Sequence, residues 1–467
     1  MSIQIEDTPI LRRLIMHANK SNMPLHVPGH HQGRDLPEIF SEWLGQASKI
    51  DLTELPGLDN LHNPEACILE SEMLAAAYYG SRKCFYSVNG STAGVMAAIL
   101  SCVSERKKIL FLNPFHMSAW RGVIIADAIP RFMPFIWDDK GFTYQAPIAE
   151  MLAERLEKES DFKAIYLTSP TYQGRIANVS AIVQAAHKYD IPVIVDEAHG
   201  AHLSLIPAFP KHSVAAGADM VIQSAHKTLP SLTQAAWVHV QGKLIDPSIV
   251  MYYLNFLQTT SPSYLLMASL DVAQAWLRKA GKQAALDFIE QRTAVFPFLN
   301  ETNLSDPLRH WIPIGNRTES KRLKSMLEES SIYVEMADTC GVLAMFGFYM
   351  KRTHFERYNS VLEAWRQSYP GPDDSANLFV SRITNSNSSQ LLCTPKEAQF
   401  REKRVTPLSE SIGQICGSLV TPYPPGVPVL LPGQRIESNI IDIIEEWLLA
   451  GHEIHGLEEN KGIKTLV

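Results

Sequence analysis

The sequence predicts an α/β fold that is built on a mostly parallel sheet and followed by a smaller α+β domain. The first observation is that short apolar runs alternate with amphipathic stretches between residues 80 and 240. Buried strands that alternate with helices are typical of a parallel sheet covered on both faces. The second observation is that this alternation stops after about residue 290, where the character of the chain changes.

The predicted elements follow from this pattern. The strands are the apolar runs at residues 109–113, 164–169, 193–197 and 220–224. The helices are the amphipathic stretches at residues 92–104, 118–128 and 179–189, with a long connecting helix at about 264–296. Ligands of such sheets bind at the carboxyl ends of the strands. The residues that follow these runs are therefore candidates for a functional site.

We expect two domains. An N-terminal segment and a large domain occupy residues 1–290, and a smaller C-terminal domain occupies residues 291–467. Within the smaller domain, the Pro, Gly, Asn and Ser content of residues 370–374 and 385–389 predicts loops. Thr394, Pro395 and Glu397 form a capping-box pattern with proline at the first helical position, which predicts that a helix begins there.

Composition excludes several classes of partner. The chain has 467 residues, of which 46% are hydrophobic and 19% charged, as in ordinary globular proteins with large cores. Its net charge of −7 leaves no basic surplus for nucleic acid or anionic lipid. The six cysteines lack a metal-binding spacing, and no apolar run is long enough to span a bilayer. We therefore expect a cytoplasmic protein with no metal, membrane or nucleic-acid partner.

The strongest chemical signal is the motif Ser-Ala-His-Lys-Thr at residues 224–228, which follows a predicted strand. A lysine in this position, beside His226, can be partly desolvated, which lowers its pKa and makes its amine more nucleophilic. Lys227 would then hold a carbonyl cofactor as an imine. The alternative is that Lys227 is an ordinary surface lysine after a strand.

A second motif, Val-Asp-Glu-Ala-His-Gly at residues 195–200, ends another predicted strand. A carboxylate at Asp196 could pair with a protonated pyridine nitrogen and keep the ring an electron sink. Ala198 lies on the same strand face and would let that ring lie flat. The alternatives are a metal-binding pair of Asp196 and His199, or an aspartate that caps a turn.

A third motif, Val-Asn-Gly-Ser-Thr-Ala-Gly at residues 88–94, opens an apolar helix. Free N–H groups at a helix start suit a phosphate, and the hydroxyls of Ser91 and Thr92 add donors. The alternative is an ordinary N-cap by Ser91. A fourth candidate is His116, which follows the strand at 109–113 and could stack on a cofactor ring. The alternative there is a histidine whose hydrogen bonds are satisfied within its loop.

Together these motifs resemble the fold-type-I enzymes that use pyridoxal 5'-phosphate (PLP), and specifically the short bacterial members of the Orn/Lys/Arg decarboxylase family. The resemblance runs through most of the chain, and its further segments are residues 25–33, 55–62, 64–65, 169–172 and 421–428. The last of these segments and the Ser-x-His-Lys motif are together quite specific. Because the Pro-Gly-His motif begins by residue 28, we expect the chain to lack the wing domain of the larger members.

The resemblance implies a role for each matching residue. Lys227 would bind PLP covalently, and Asp196 would pair with the ring nitrogen. Ala198 and His116 would pack on the two ring faces, and His199 is a candidate participant in catalysis. The residues that would hold the phosphate are Gly90, Ser91, Thr92, Ser224 and His226.

The resemblance also implies a reaction. A basic L-amino acid would be decarboxylated to CO2 and the corresponding amine, a polyamine precursor, with arginine as the first choice and then lysine or ornithine. The enzyme would be a homodimer or a larger homo-oligomer, because fold-type-I sites are built from two subunits. Two alternatives stay open: another fold-type-I reaction, of the aminotransferase or lyase kind, and a non-catalytic PLP-binding paralogue.

Two departures from the family bear on the substrate. Met117 stands where the family often has lysine, and Gln434 stands where the motif Pro-Gly-Glu commonly has its glutamate. If that glutamate binds a cationic substrate tail, its loss would change the preference; alternatively, glutamine keeps the shape and a hydrogen-bonding head. Other carboxylates that could bind the tail lie at residues 51–54, Asp59, Glu65, Glu335 and Asp338.

Overall fold

The computed structural model describes residues 3–20, 22–297, 305–372, 391–423, 428–449, 453–458 and 462–467. The chain forms two compact units, each built from two separate stretches. The first unit contains residues 1–101 and 192–287, and the second contains residues 102–191 and 288–467. The domain boundary near residue 290 stays a prediction. The predicted loops at 373–374 and 385–389, and residues 424–427 of the last family segment, lie outside the described residues.

The elements of the described chain are as follows. The strands are β1 (Lys83–Ser87), β2 (Lys108–Phe111), β3 (Ile129–Phe132), β4 (Trp137–Asp138), β5 (Thr143–Tyr144), β6 (Phe162–Thr168), β7 (Val193–Asp196), β8 (Met220–Gln223), β9 (Ala236–Val240), β10 (Arg309–Pro313), β11 (Met336–Ala337), β12 (Gly341–Met345), β13 (Lys403–Pro407), β14 (Thr421–Tyr423), β15 (Glu453–His455) and β16 (Gly462–Leu466). The helices are α1 (Pro9–Ala18), α2 (Glu38–Leu44), α3 (Cys67–Tyr79), α4 (Gly90–Cys102), α5 (Met117–Ala126), α6 (Ala149–Lys158), α7 (Val179–His187), α8 (Ala225–Thr228), α9 (Pro247–Leu257), α10 (Tyr264–Trp276), α11 (Lys282–Thr293), α12 (Arg317–Glu329), α13 (Arg352–Arg366), α14 (Pro395–Phe400) and α15 (Ser438–Leu449).

In the first unit, β7 and β8 run parallel, with Asp196 paired to Ile222. Both strands are fully buried, and each has three apolar residues followed by one polar residue, Asp196 in β7 and Gln223 in β8. Burial of every residue is the pattern of a sheet covered on both faces. The next strand, β9, is antiparallel to β8 and to β1. Because β7 and β8 are parallel and in register, their carboxyl ends lie at the same edge of the sheet.

In the second unit, β2 pairs in parallel with both β3 and β6. Each of the four predicted strands overlaps an observed one. Among the strand pairs named above, those that involve β9 are antiparallel and the others are parallel. The predicted α/β class with a mostly parallel sheet is therefore confirmed.

The predicted helices are also present. The stretches at 92–104, 118–128 and 179–189 correspond to α4, α5 and α7. The long connecting helix is divided into α10 and α11 by a π-helical turn at Leu277–Gly281. A β-carbon on Gly281 would lie 2.4 Å from the side chain of Leu205, so this turn passes too close to its neighbour for a larger residue.

The C-terminal part of the second unit has the predicted α+β character. Strands β10, β12 and β11 form an antiparallel sheet, and the apolar residues of α12 and α13 belong to the same buried cluster as β10 and β12. The helix predicted at Thr394 is α14: the Glu397 N–H donates to the Thr394 hydroxyl at 3.2 Å, and the Thr394 N–H donates to the Glu397 carboxylate at 2.9 Å. The capping box is therefore confirmed.

Candidate active site

The first unit brings most of the predicted site residues to the carboxyl edge of β7 and β8. Asp196 is the last residue of β7, and Ser224 immediately follows β8. Lys227 lies one turn later, in the short helix α8. Because α8 begins directly after β8, the Lys227 amine lies near the end of β8, where the sequence predicts it.

Lys227 lies beside His199. Its Nζ is 3.1 Å from Nε2 of His199, which is buried and follows the end of β7. The Lys227 side chain itself is exposed in the single chain, although Ser224 and Ala225 before it are buried. The desolvation expected for this lysine is therefore not provided by the described residues of one chain, because α8 lies beyond the buried end of the strand.

Asp196 ends β7 and Ala198 lies in the turn that follows, so the expectation that both lie on one strand face stays a prediction. The Asp196 side chain is 4% exposed, and its Oδ1 accepts a hydrogen bond of 3.1 Å from the N–H of Ala198. This bond fixes the carboxylate beside the small side chain of Ala198. This bond is that of an aspartate that caps a turn, which is the alternative named above, and the pairing of Asp196 with a ring nitrogen stays a prediction.

The hydroxyls predicted for the phosphate meet at the start of α4. Oγ of Ser91 lies 2.6 Å from Oγ of Ser224, which joins the helix start to the end of β8. Ser91 lies inside α4 and its hydroxyl contacts Ser224 rather than a backbone N–H of the helix, so the alternative of an ordinary N-cap is wrong. Thr92 occupies the same first helical turn, whose N–H groups have no partner within the helix.

Gly94 sets how closely α4 approaches the sheet. A β-carbon at this position would lie 2.7 Å from Val238 and 3.0 Å from Ile222, and side chains do not pack that closely. The missing side chain therefore allows the helix to lie directly on β8 and β9. The same contact brings Ser91 within hydrogen-bonding distance of Ser224.

His226 lies in α8, two residues after Ser224, and its ring has a defined partner. Its Nδ1 lies 2.9 Å from the carbonyl of Ala235, so the ring N–H points to that oxygen. Burial lowers the pKa of His226, the bond to Ala235 opposes this effect, and the charge of Lys227 lowers the pKa further. The imidazole is therefore neutral at neutral pH.

His116 lies in the second unit. It precedes α5, and its Nδ1 accepts a hydrogen bond of 3.2 Å from the N–H of Ser118, as an N-cap does. The ring is otherwise exposed. Its stacking role stays a prediction. Met117, the next residue and the first of the two departures, is partly exposed at the start of the helix.

Several candidate carboxylates have structural partners. Asp59 is buried, and its two oxygens accept hydrogen bonds from five backbone N–H groups, four of which belong to residues 65–69 around the start of α3. Asp338 accepts from the N–H groups of Cys340 and Gly341, and burial raises its pKa to about 6. Asp51 meets His30, and Glu335 accepts from the hydroxyl of Tyr172. For Asp59, an anchor for a helix is the better interpretation than a contact with substrate.

Gln434 has a structural role as well. The side chain is 2% exposed, and its Oε1 accepts a hydrogen bond of 2.8 Å from the N–H of Leu431. This bond closes a turn that also contains Gly433, whose φ of 93° suits glycine. A glutamate oxygen would accept the same bond. The departure from the family therefore preserves the turn, which favours the interpretation that glutamine keeps the shape.

Sequence reasoning missed Glu197, which lies between the two predicted residues Asp196 and Ala198. Its carboxylate is 1% exposed and accepts hydrogen bonds from Ser213 and Gln223. The signal was present, because adjacent residues of a strand point to opposite faces and a glutamate in a fully buried run must have partners. Those partners are distant in sequence and could not be named.

The chain is similar to one known family along most of its length. A family model described as the Orn/Lys/Arg decarboxylase major domain matches residues 8–314, and a model of the C-terminal domain of the same family matches residues 381–464. The uncharacterized protein YaaO of Bacillus subtilis is 35% identical, over 99% of this chain and 98% of its own. The arginine decarboxylase of Bacillus anthracis is 31% identical, over 97% of this chain and 95% of its own.

A solved structure, lysine decarboxylase A from Pseudomonas aeruginosa, superposes with a TM-score of 0.83 at 19% identity, over 98% of this chain and 80% of that chain. Its likeness, with that of the other solved structures, shows that the fold is that of the fold-type-I PLP enzymes with a smaller α+β C-terminal domain. The chain belongs to the Orn/Lys/Arg decarboxylase family, and it is a decarboxylase. Among the described residues, none of the helices combines the length and the hydropathy that crossing a membrane requires.

Proposed function

We propose that this protein is a PLP-dependent decarboxylase of a basic L-amino acid, with arginine as the preferred substrate. The observation that carries the proposal is the position of Lys227, which follows β8, next to His199 and one strand from Asp196. Arginine is supported by relatives named arginine decarboxylase that are about 30% identical over nearly the whole chain. The products would be CO2 and the corresponding amine, a polyamine precursor.

The residues at this edge fit PLP in three separate respects. The paired hydroxyls of Ser91 and Ser224 at a helix start suit the phosphate, and Gly90, Thr92 and His226 adjoin them. The Lys227 amine suits the aldehyde carbon. The Asp196 carboxylate suits the ring nitrogen. When bound, PLP supplies an electron sink for the bond between the α-carbon and the carboxylate.

The protein's own residues would orient the reactants and control protons. Asp196, held by the N–H of Ala198, would keep the ring nitrogen protonated. Ala198 would pack on one face of the ring, and His116 is proposed for the other. His199 would exchange a proton with Nζ of Lys227, because the two nitrogen atoms lie within hydrogen-bonding distance.

We further propose that the working enzyme is a cytoplasmic homodimer or a larger homo-oligomer. The first unit exposes large apolar side chains on α2 and α9, among them Trp43, which is 86% exposed, Ile39 and Phe256. Apolar surface of this kind is typical of an interface. The exposure of Lys227 supports the same assembly, because exclusion of water from the site would require a second subunit. Light scattering coupled to gel filtration measures the mass directly.

The test of the reaction is a substrate panel. Purified protein with PLP would be incubated with arginine, lysine, ornithine and neutral amino acids at one pH, with amines detected by mass spectrometry and CO2 measured in parallel. We expect the highest kcat/KM for arginine, and no product from the Lys227→Ala variant. Keto-acid products without CO2 would show another fold-type-I reaction. Neutral amino acids decarboxylated as well as basic ones would refute the substrate class.

A further inference from the structure

A buried polar chain lies on the face of the sheet opposite Asp196. Adjacent strand residues point to opposite faces, so Glu197, which directly follows Asp196, points away from the side on which the Asp196 side chain lies. Oε1 of Glu197 accepts hydrogen bonds from the N–H of Ser213 at 2.8 Å and from its hydroxyl at 2.6 Å. The other oxygen, Oε2, accepts from Nε2 of Gln223 at 2.7 Å.

The chain continues across two further strands. Oε1 of Gln223 lies 3.1 Å from Nε2 of His239 on β9, and Nδ1 of His239 lies 3.1 Å from the hydroxyl of Ser81. Glu197, Gln223 and His239 are all buried, whereas Ser81 is partly exposed. We call Glu197, Gln223 and His239 the polar relay. It ties together the strands β7, β8 and β9.

The hydrogen bonds of the relay are satisfied in two states. When Glu197 is ionised, Gln223 donates to it, His239 donates from Nε2 to Gln223, and Ser81 donates to Nδ1. When Glu197 is protonated, it donates to the Gln223 carbonyl, the flipped amide donates to Nε2, and Nδ1 donates to Ser81. The net change is one proton taken up from solvent at Glu197, since His239 only exchanges one tautomer for the other.

The surroundings decide which group titrates. Burial raises the pKa of Glu197 to about 7, although the bonds from Ser213 and Gln223 oppose this effect. Burial and, to a smaller extent, the neighbouring His212 lower the pKa of His239 to about 3. Tyr79 packs on the His239 ring at 4.7 Å and donates its hydroxyl to the carbonyl of Ala201. His239 is therefore neutral in both states, and Glu197 is the group that changes.

We propose that the polar relay positions the two strand ends that hold the cofactor, and that it does so in both protonation states of Glu197. Two relay residues are joined by a peptide bond to predicted site residues: Glu197 follows Asp196, and Gln223 precedes Ser224. The relay residues are positioning residues, because they act on the site through the backbone of β7 and β8. This proposal rests on the proposed function.

The first test uses the full chain stripped of cofactor and titrated with PLP by absorbance. Glu197→Gln mimics the protonated state, because its amide donates to Gln223 while its oxygen accepts from Ser213. We expect it to bind PLP within about threefold of the parent, whereas Gln223→Met should weaken binding about tenfold by leaving two buried groups without partners. The matched control is Gln241→Met, which loses two hydrogen bonds at the other end of the sheet and should bind like the parent.

A second measurement does not depend on whether Gln223→Met folds. Nitrogen-15 shifts of His239 report which ring nitrogen carries the proton. We expect the parent to exchange tautomers as pH rises through the titration of Glu197, and Glu197→Gln to stay in the form protonated at Nδ1. One tautomer at every pH in both proteins, or equal PLP affinity for Gln223→Met and Gln241→Met, would overturn the proposal. Neither readout needs turnover, so a protein that binds PLP without releasing CO2 would refute the proposed function alone.

Discussion

Nζ of Lys227 and Nε2 of His199 lie 3.1 Å apart, although the two residues belong to different strand ends. A proton shared by these atoms moves between the amine and the imidazole without any movement of the backbone. We expect His199→Ala to lower kcat about a hundredfold, since general acid–base groups contribute at least that much, while PLP remains attached. The control is His354→Ala, a surface histidine at the start of α13. Equal rates for the two variants would remove His199 from the mechanism.

Lys227 should be the site of covalent attachment. Borohydride reduction of the PLP-loaded protein should fix the cofactor on this lysine, and peptide mass spectrometry identifies the modified residue. Lys227→Ala should give neither the adduct nor turnover. Lys243→Ala, which removes an exposed lysine after β9, should give both. A cofactor found on any other lysine would contradict the assignment.

Asp196→Asn should keep the shape of the strand end but lose the charge that favours a protonated ring nitrogen. We expect activity to fall about a hundredfold or more, as for other fixed charges that stabilise a developing one, with part of the PLP affinity retained. Asp246→Asn is the matched control, because Asp246 N-caps α9 and asparagine caps as well. Activity of Asp196→Asn within a few-fold of the parent would count against the role.

His226 predicts how PLP affinity depends on pH. Without PLP its pKa lies below the ordinary value of 6.5 because of burial. A phosphate dianion beside the ring favours the cation, so binding raises this pKa and takes up a proton. The contribution of His226 to PLP affinity is therefore fully present below the pKa that His226 has without PLP. It is lost as pH rises through the higher pKa that His226 has when PLP is bound. His226→Asn should flatten this slope in PLP titrations, and an unchanged slope would exclude His226 from the phosphate site.

Gln434→Glu should leave the ranking of arginine, lysine and ornithine unchanged. The side-chain oxygen closes the turn to the Leu431 N–H, and a glutamate oxygen would accept that bond equally well. The measurement is a competition among the three amino acids that compares kcat/KM. A change of more than about tenfold in any ratio, equivalent to 1.4 kcal/mol, would show that this position contacts the substrate tail.

Local patterns predicted the fold well, and they predicted partners poorly. The strands at 193–197 and 220–224 were predictable because a buried parallel strand is a short apolar run. The helix start at Thr394 was predictable because the two residues of a capping box are three positions apart in sequence. The role of Asp59 could not be predicted from the sequence, because its carboxylate accepts from five backbone N–H groups that only the folded loop brings together.

The same limit applies to the site. The positions of Asp196 and Lys227 were predicted because Asp196 ends one strand and Lys227 closely follows another, and both strand ends are visible in the sequence. The polar relay was missed because Glu197, Gln223 and His239 lie on three different strands, and no spacing rule connects them. The exposure of Lys227 was left open between a partly desolvated lysine and a surface lysine, since burial depends on what surrounds a residue and not on the residue before it.

The contact at Gly94 shows how far a site can depend on an atom that is not there. Between Gly94 and the side chains of Val238 and Ile222 there is room for a hydrogen atom but not for a methyl group. Alanine at this position would lift the whole helix, and Ser91 would move with it while Ser224 stayed on its strand. The distance between the Ser91 and Ser224 hydroxyls therefore depends on Gly94, three residues further along the helix, where the absence of a side chain lets the helix approach the sheet.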